Sequence, residues 1–184
     1  LLNTNVSHNL ATSEYNTRRE ECEQALAVIK KDHPGYKFLA DVPEHIIESY
    51  SEKLSCKVYQ RALFVSRENA RTLKAAELIQ KGDIEAFGAL MYQTHEGLSK
   101  NYEVSCPELD FLVDLSKDIP QVVGSRMMGG GFGGCTINLV KETFVNEFID
   151  STTKAYKEKF NIKLTAILVA TSNGVEIIRP TNGF

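Results

Sequence analysis

No stretch of this sequence approaches the roughly 20 apolar residues that a membrane-spanning helix needs, so no membrane partner is expected. Paired cysteines are missing too. Cys22, Cys56, Cys106 and Cys135 stand far apart, and none shares the C-x2-C spacing of a zinc or redox site. Four reduced, mostly buried thiols are expected, which fits a reducing cytoplasm. Charge of one sign is scarce: 21 basic and 24 acidic side chains leave a net charge of −3. That balance offers no electrostatic footprint for nucleic acid or an anionic lipid surface. The N-terminus lacks a signal peptide's basic region, apolar run and small-residue cleavage site. It opens without a methionine on Leu1-Leu-Asn-Thr-Asn-Val6, which reads as a strand entered in mid-protein, so a piece of a longer protein is expected. Internal repeats and low-complexity segments are absent.

What is present is an ordinary globular composition, 42% apolar and 24% charged over 184 residues, enough to bury a core. From Ser13 to about Asp118 the apolar spacing is helical. Cys22, Ala25, Leu26 and Ile29 form one stripe, and Glu20, Glu21 and Glu23 are placed near the positive end of that helix's dipole. His33-Pro-Gly35 breaks it. Asp41-Val-Pro-Glu44 and Ser105-Cys-Pro-Glu108 both read as capped helix starts, with Asp41 accepting from free N–H groups. Between them a long helix is expected to bury Val58, Ala62, Val65, Leu73, Ala76 and Ile79, with Asn69 as a satisfied core amide. Lys81-Gly82 ends it. Asp83 caps the next helix, whose buried face is Ile84, Phe87, Leu90, Met91 and Leu98.

From Gln121 the period changes to two. Val122–Met127 and Cys135–Val140 can pair as a hairpin, and a helix follows with Phe144, Val145, Phe148, Ile149, Ala155 and Tyr156 on one side. Thr165–Ala170 is expected as a strand, Asn173-Gly174 as a tight turn and Val175–Ile178 as the last strand. The fold class is therefore α+β: a helical segment followed by an antiparallel sheet with helices on one face. One domain, 1–184, is expected, mainly helical over 1–120 and hairpin–helix–hairpin over 121–184.

The chemistry concentrates in Met127-Met-Gly-Gly-Gly-Phe-Gly-Gly-Cys135. Gly129, Gly130, Gly131, Gly133 and Gly134 are five of the chain's twelve glycines. Hairpin closure needs only two residues, and clustered glycine costs folding entropy. Either this is an active-site loop whose backbone approaches an anion or another loop, or it is a plain flexible hairpin. It lacks the lysine and hydroxyl of G-x-x-x-x-G-K-[ST], and a strand follows it where a dinucleotide site would have a helix. Phe132 is expected to pack the loop down.

Ser125-Arg-Met127, the GGGFGG core and Cys135-Thr136 together resemble the third motif of the GHMP kinases, in its galactokinase form. Three further stretches agree in order: Asn5-Val-x-His8 with Leu10-Ala-x-Ser-Glu-Tyr15, Arg18-Arg19 and Cys22; Phe87-Gly88 with His95 and Leu98; and Tyr102-Glu-Val-Ser-Cys-Pro-Glu-Leu-Asp110. The resemblance runs from about Thr4 to Ile178. It implies the ferredoxin-like C-terminal domain of such a kinase, which phosphorylates the C1 hydroxyl of galactose with ATP and magnesium in the cytoplasm.

The resemblance makes Tyr15 a hydrogen-bond donor to a sugar hydroxyl and the five glycines an active-site loop. Arg18 and Arg19 are either orienters of the sugar loop or surface ion-pair residues. His8 and His95 read as hydrogen-bonded structural histidines, and Glu108 and Asp110 as helix-start residues rather than metal ligands. Met128 stands where the pattern usually has Thr, and Ser7 where a basic residue often precedes the histidine. The Gly-Glu-His-Thr-Asp-Tyr run, the Gly-Leu-Ser-Ser-Ser-Ala phosphate loop and the catalytic aspartate of such kinases do not occur here. No catalytic or metal-binding residue is therefore expected in this chain, and ATP and magnesium would be held mainly by an N-terminal half. The alternatives are a GHMP kinase for N-acetylgalactosamine or arabinose, or a non-catalytic protein that binds galactose and ATP and regulates a partner.

Overall fold

The computed structural model describes residues 1–7, 11–171 and 174. His8, the strand expected at Val175–Ile178 and, apart from Gly174, the turn before it lie outside the described residues. In order, the chain forms β1 (Leu2–Ser7), α1 (Ala11–Ile29), α2 (Glu44–Glu48), α3 (Cys56–Lys81), α4 (Ile84–Glu96), α5 (Pro107–Lys117), β2 (Val122–Met127), β3 (Gly133–Val140), α6 (Val145–Phe160) and β4 (Thr165–Ala166). None of the described helices is long and apolar enough to cross a membrane.

The helical part has its own core. Ala25 and Ile29 of α1 meet Val58 and Ala62 of α3 over Ile47, Tyr50 and Leu54. Because α1 already begins at Ala11, Glu20, Glu21 and Glu23 sit in mid-helix, beyond the reach of its N-terminal dipole. Ser55 caps α3 by accepting from the Val58 N–H, and Gly82 ends it with φ at +71°. The apolar stripe of α3 is buried only in its first half. Leu73 (71% exposed), Ile79 (53%) and, at the start of α4, Ile84 (38%) are uncovered, against expectation. Asn69 does find a partner, donating to the Ala40 carbonyl at 2.9 Å.

The two expected helix starts differ in detail. Asp41 lies in a 3₁₀ turn (Leu39–Asp41) and accepts from the Phe38 N–H, so Pro43 occupies the cap of α2. Cys106 precedes Pro107 at the start of α5, and the Ser105 hydroxyl turns instead to the Asp110 carboxylate.

The sheet is antiparallel with strand order β2-β3-β1-β4. The expected β2–β3 hairpin forms, pairing Ser125 with Asn138 and Met127 with Thr136. β1 lies in the middle, so the N-terminal strand joins the sheet built by residues after 121. A register shift between Asn3 and Ser7 lets Ser7 face Gly133. Asn5 absorbs it with φ at +55°, a conformation asparagine tolerates better than most residues. α5 and α6 share a core with the strands through Leu2, Leu112, Val122, Phe148 and Tyr156. β4 is only two residues long. The strand expected to run to Ala170 stops at Ala166; its last sheet contact is the Ile167 N–H, which donates to the Leu1 carbonyl.

Among the described strands β2 is at the edge, and α4 packs along it. The Tyr92 hydroxyl donates to the Val122 carbonyl, and the Met127 N–H donates to Nδ1 of His95. Pairing an edge in this way removes a template for aggregation. The approach is so close that a Cβ on Gly88 would lie 2.1 Å from the Val123 carbonyl oxygen.

Candidate functional site at the glycine turn

The β2–β3 connection is the glycine run, and its geometry explains its composition. Gly129, Gly131, Gly133 and Gly134 all have positive φ, as does Phe132. At Gly131 the requirement is double. Its φ is +88°, and a Cβ there would stand 2.1 Å from the Val104 carbonyl oxygen. That carbonyl accepts from the Phe132 N–H at 2.7 Å, and the Phe132 ring packs on Val104, Cys106, Leu109 and Met127. Phe132 thus anchors the turn as expected. At its far end the Thr4 hydroxyl donates to the Gly134 carbonyl at 2.8 Å. Beside Gly129 and Gly134 no other group among the described residues comes within 4 Å of where a side chain would begin.

Tyr15 comes to the same place. It stands in the second turn of α1, 56% exposed, with its ring edge beside Gly130. A methyl at Gly130 would lie 3.8 Å from Cδ2 of Tyr15 and 3.9 Å from Cε2. The two features singled out in the sequence therefore form one surface, composed of a phenol and a bare backbone. A phenol can both donate and accept, and a backbone without side chains admits a ligand closely.

Beneath this surface lie two polar networks. In the first, His95 (4% exposed) accepts from the Met127 N–H at 3.1 Å through Nδ1, while Nε2 faces Oδ1 of Asp110 at the same distance. Those partners define its tautomer, with the proton on Nε2. Asp110 also accepts from Ser99 and Ser105. Burial works to raise the Asp110 carboxyl, but the hydrogen bonds from His95, Ser105 and Ser99 outweigh it and hold the group below the usual aspartate value. His95 is thus a hydrogen-bonded structural residue, and Asp110 does more than begin a helix. Glu108 lies in the first turn of α5, as expected.

In the second network Arg18 is nearly buried, at 7% exposure. Its guanidinium donates to the carbonyls of Tyr102 (2.7 Å) and Glu103 (3.1 Å) and pairs with Glu14 and Glu21. Arg61, fully buried, pairs with Glu21 and Glu103 and donates to the Asn101 carbonyl. The Arg61 hydrogen bond holds the Glu103 carboxyl below the ordinary range. Arg19 is different: it is exposed and paired with Glu23 alone among the described residues. The sequence reading missed Arg61; its one visible signal was an arginine set within the apolar stripe between Val58 and Ala62.

All four cysteines are unpaired, but they are less buried than expected. Cys106 is buried, Cys22 and Cys135 are half-buried and Cys56 is exposed. Burial pushes the Cys22 thiol up, and that of Cys106 to about 11. Among the described residues no group of three or more His, Cys, Asp or Glu side chains could hold a metal ion.

Comparison with known proteins gives this surface its context. Residues 75–158 match the family described as GHMP kinases, C terminal. Curated galactokinases resemble nearly all of the chain. That of Thermotoga petrophila is 39% identical over 97% of this chain and 48% of its own length, and that of Clostridium acetobutylicum 40% identical over 97% and 46%. The chain spans about half the length of the curated relatives it matches. The crystal structure of Lactococcus lactis galactokinase complexed with galactose superposes with a TM-score of 0.83 at 30% identity, over 89% of this chain and 42% of that one. Residues 75–158 thus match the C-terminal domain of the GHMP kinases, and the chain is similar to galactokinases along nearly its whole length.

Proposed function

We propose that this chain, residues 1–184, is the C-terminal domain of a galactokinase that transfers the terminal phosphoryl group of ATP to the C1 hydroxyl of galactose. The observation that carries the reading is the closeness of the Tyr15 ring to Gly130, where an added Cβ would stand 3.8 Å from it, so that the Ser-Glu-Tyr segment and the glycine turn share one surface. Tyr15 donates a hydrogen bond to a sugar hydroxyl. The turn of Gly129, Gly130, Gly131, Gly133 and Gly134 forms a backbone wall beside the sugar, where side chains would intrude. Phosphoryl transfer relies on positioning and charge stabilisation more than on covalent chemistry, so such a wall is a working part of the site.

Magnesium would supply charge neutralisation on the ATP phosphates. The phosphate loop, the metal ligands and the base that takes the sugar proton belong to an N-terminal partner domain, and the enzyme works in the cytoplasm. The chain alone accordingly has no kinase activity and binds galactose weakly.

A coupled ADP-release assay on the full-length protein tests this reading, with galactose, N-acetylgalactosamine and arabinose as acceptors. Turnover with galactose and none by the 184-residue chain is expected. Preference for either other sugar would shift the substrate within the GHMP kinases. Binding of galactose and ATP without turnover would make the protein a regulator instead.

A further inference from the structure

Arg18 lies one helical turn after Tyr15 on α1, and besides pairing with Glu14 and Glu21 of that helix its guanidinium reaches a distant segment. Nε donates to the Tyr102 carbonyl at 2.7 Å and Nη2 to the Glu103 carbonyl at 3.1 Å. The next residue is Val104, whose carbonyl accepts from the Phe132 N–H and against which Gly131 is pressed. These links run in a ring: Tyr15, α1, Arg18, the segment 102–104, Phe132 and Gly131, Gly130, and, across a gap in which a Gly130 Cβ would stand 3.8 Å from the tyrosine side chain, Tyr15 again.

That segment would not hold its shape unaided. Glu103 has φ at +53°, a left-handed conformation that a non-glycine residue keeps only where its surroundings enforce it. The enforcing groups are the two arginines. Arg18 takes the Glu103 carbonyl and Arg61 takes its carboxylate at 2.6 Å. One carboxylate oxygen of Glu21 braces both, at 3.3 Å from Arg18 and 3.1 Å from Arg61.

We propose that Arg18 is a positioning residue for sugar recognition: by clamping α1 to the segment 102–104, it sets the gap between the Tyr15 ring and Gly130. This rests on the reading of Tyr15 as the sugar contact. Arg18 does not touch the sugar; it acts through Tyr15 and the turn. Lysine could keep the charge but not the fork, since a single ammonium on a flexible stem cannot reproduce a planar pair of donors directed at two carbonyls.

The test uses the full-length enzyme with Arg18→Lys, Tyr15→Phe, the double variant and, as control, Arg19→Ala, whose arginine is exposed and points elsewhere. Arg18→Lys is expected to raise the galactose KM about tenfold with the ATP KM within about twofold, because only sugar binding passes through the clamp. In the Tyr15→Phe background it should add far less than it does alone, the signature of residues acting as a unit. Hydrogen exchange should quicken in residues 128–134 while α6 stays protected.

Equal damage to both KM values, an unchanged galactose KM, or simple additivity with Tyr15→Phe would each overturn the proposal. If Arg18→Lys does not fold, Glu21→Gln loosens the brace without removing the fork. It should shift the galactose KM in the same direction by less, and no shift would count against the clamp. If Tyr15→Phe itself leaves the galactose KM unchanged, the assignment of Tyr15 fails. The exchange rates at 128–134 then still decide whether Arg18 holds the turn.

Discussion

Tyr15 and Gly130, far apart in sequence, are neighbours in the fold: a methyl group on Gly130 would lie 3.8 Å from Cδ2 of the tyrosine ring. At that distance a Cβ makes ordinary van der Waals contact, and the φ of Gly130 is not positive. Gly130→Ala is therefore expected to fold with stability changed by about 0.5 kcal/mol or less. If the surface beside Tyr15 receives the sugar, the added methyl should still raise the galactose KM of the full-length enzyme. Thermal denaturation alongside steady-state kinetics checks both halves.

Gly131→Ala should behave in the opposite way, although it is the adjacent residue. Its φ of +88° disfavours any side chain, and the new Cβ would fall 2.1 Å from the Val104 carbonyl oxygen. The turn would have to leave its seat, breaking the Phe132–Val104 hydrogen bond and lifting the Phe132 ring from its cluster. A destabilisation of about 2–4 kcal/mol with loss of kinase activity is expected, combining dihedral strain with overpacking. Denaturant unfolding measures it, and a Gly131→Ala protein as stable as the parent would refute the geometric account.

A similar close approach fixes helix α4 on strand β2. The Cβ that Gly88→Ala would add lies 2.1 Å from the Val123 carbonyl oxygen, and Gly124 offers no room, since its own Cβ would meet Gly88 Cα at 2.6 Å. Gly88→Ala would push α4 off the edge of β2 and stretch the Tyr92–Val122 and His95–Met127 hydrogen bonds. Alanine's better helix propensity recovers only about 1 kcal/mol, so a net loss of stability is expected despite the favourable helix substitution. A rise in melting temperature would contradict it.

How much of this was legible in the sequence depended on whether the deciding interaction is local. Gly82, Asp83 and the period-two run Cys135–Val140 act within a few residues, and they form what their chemistry implies. The stripe of α3 shows the limit. Periodicity places Leu73 and Ile79 on an apolar face, but it cannot say whether another element covers that face, and here both are exposed.

The site divides similarly. Its glycines announced themselves by composition, since a turn with positive φ at five positions, four of them glycine and the fifth Phe132, can be built from little else. Tyr15 was singled out only through its resemblance to a family motif, because nothing local would distinguish a sugar-contacting tyrosine from a surface one. Arg61 left only the faint signal of a cation in an apolar stripe: its burial depends on Glu21 from α1 and on Asn101 and Glu103 from a third part of the chain.

That buried arginine carries its own prediction. Arg61→Met keeps the apolar stem but leaves Glu21, the Asn101 carbonyl and Glu103 without their partner. Removing one member of a buried ion cluster costs about 3–5 kcal/mol; the lower end applies here, because the Glu103 side chain is 44% exposed and can rehydrate. The double variant Arg61→Met/Glu21→Gln should recover part of the loss by removing a stranded charge. Denaturant midpoints of both variants test this.

The last prediction concerns acid, and its sign follows from Asp110. Hydrogen bonds from His95, Ser105 and Ser99 outweigh burial and lower its carboxyl below the unfolded value of about 3.9. A carboxyl lowered by folding binds its proton more readily in the unfolded chain. Its contribution to stability is therefore complete above the unfolded value and disappears as pH falls through the lower, folded value. Asp110→Asn cannot titrate, so this variant should be less stable at neutral pH and lose less stability between about pH 5 and pH 3 than the parent. Unfolding midpoints measured across that interval give both slopes. Parallel curves would mean that Asp110 is not the group whose protonation loosens the support under Met127 and the glycine turn.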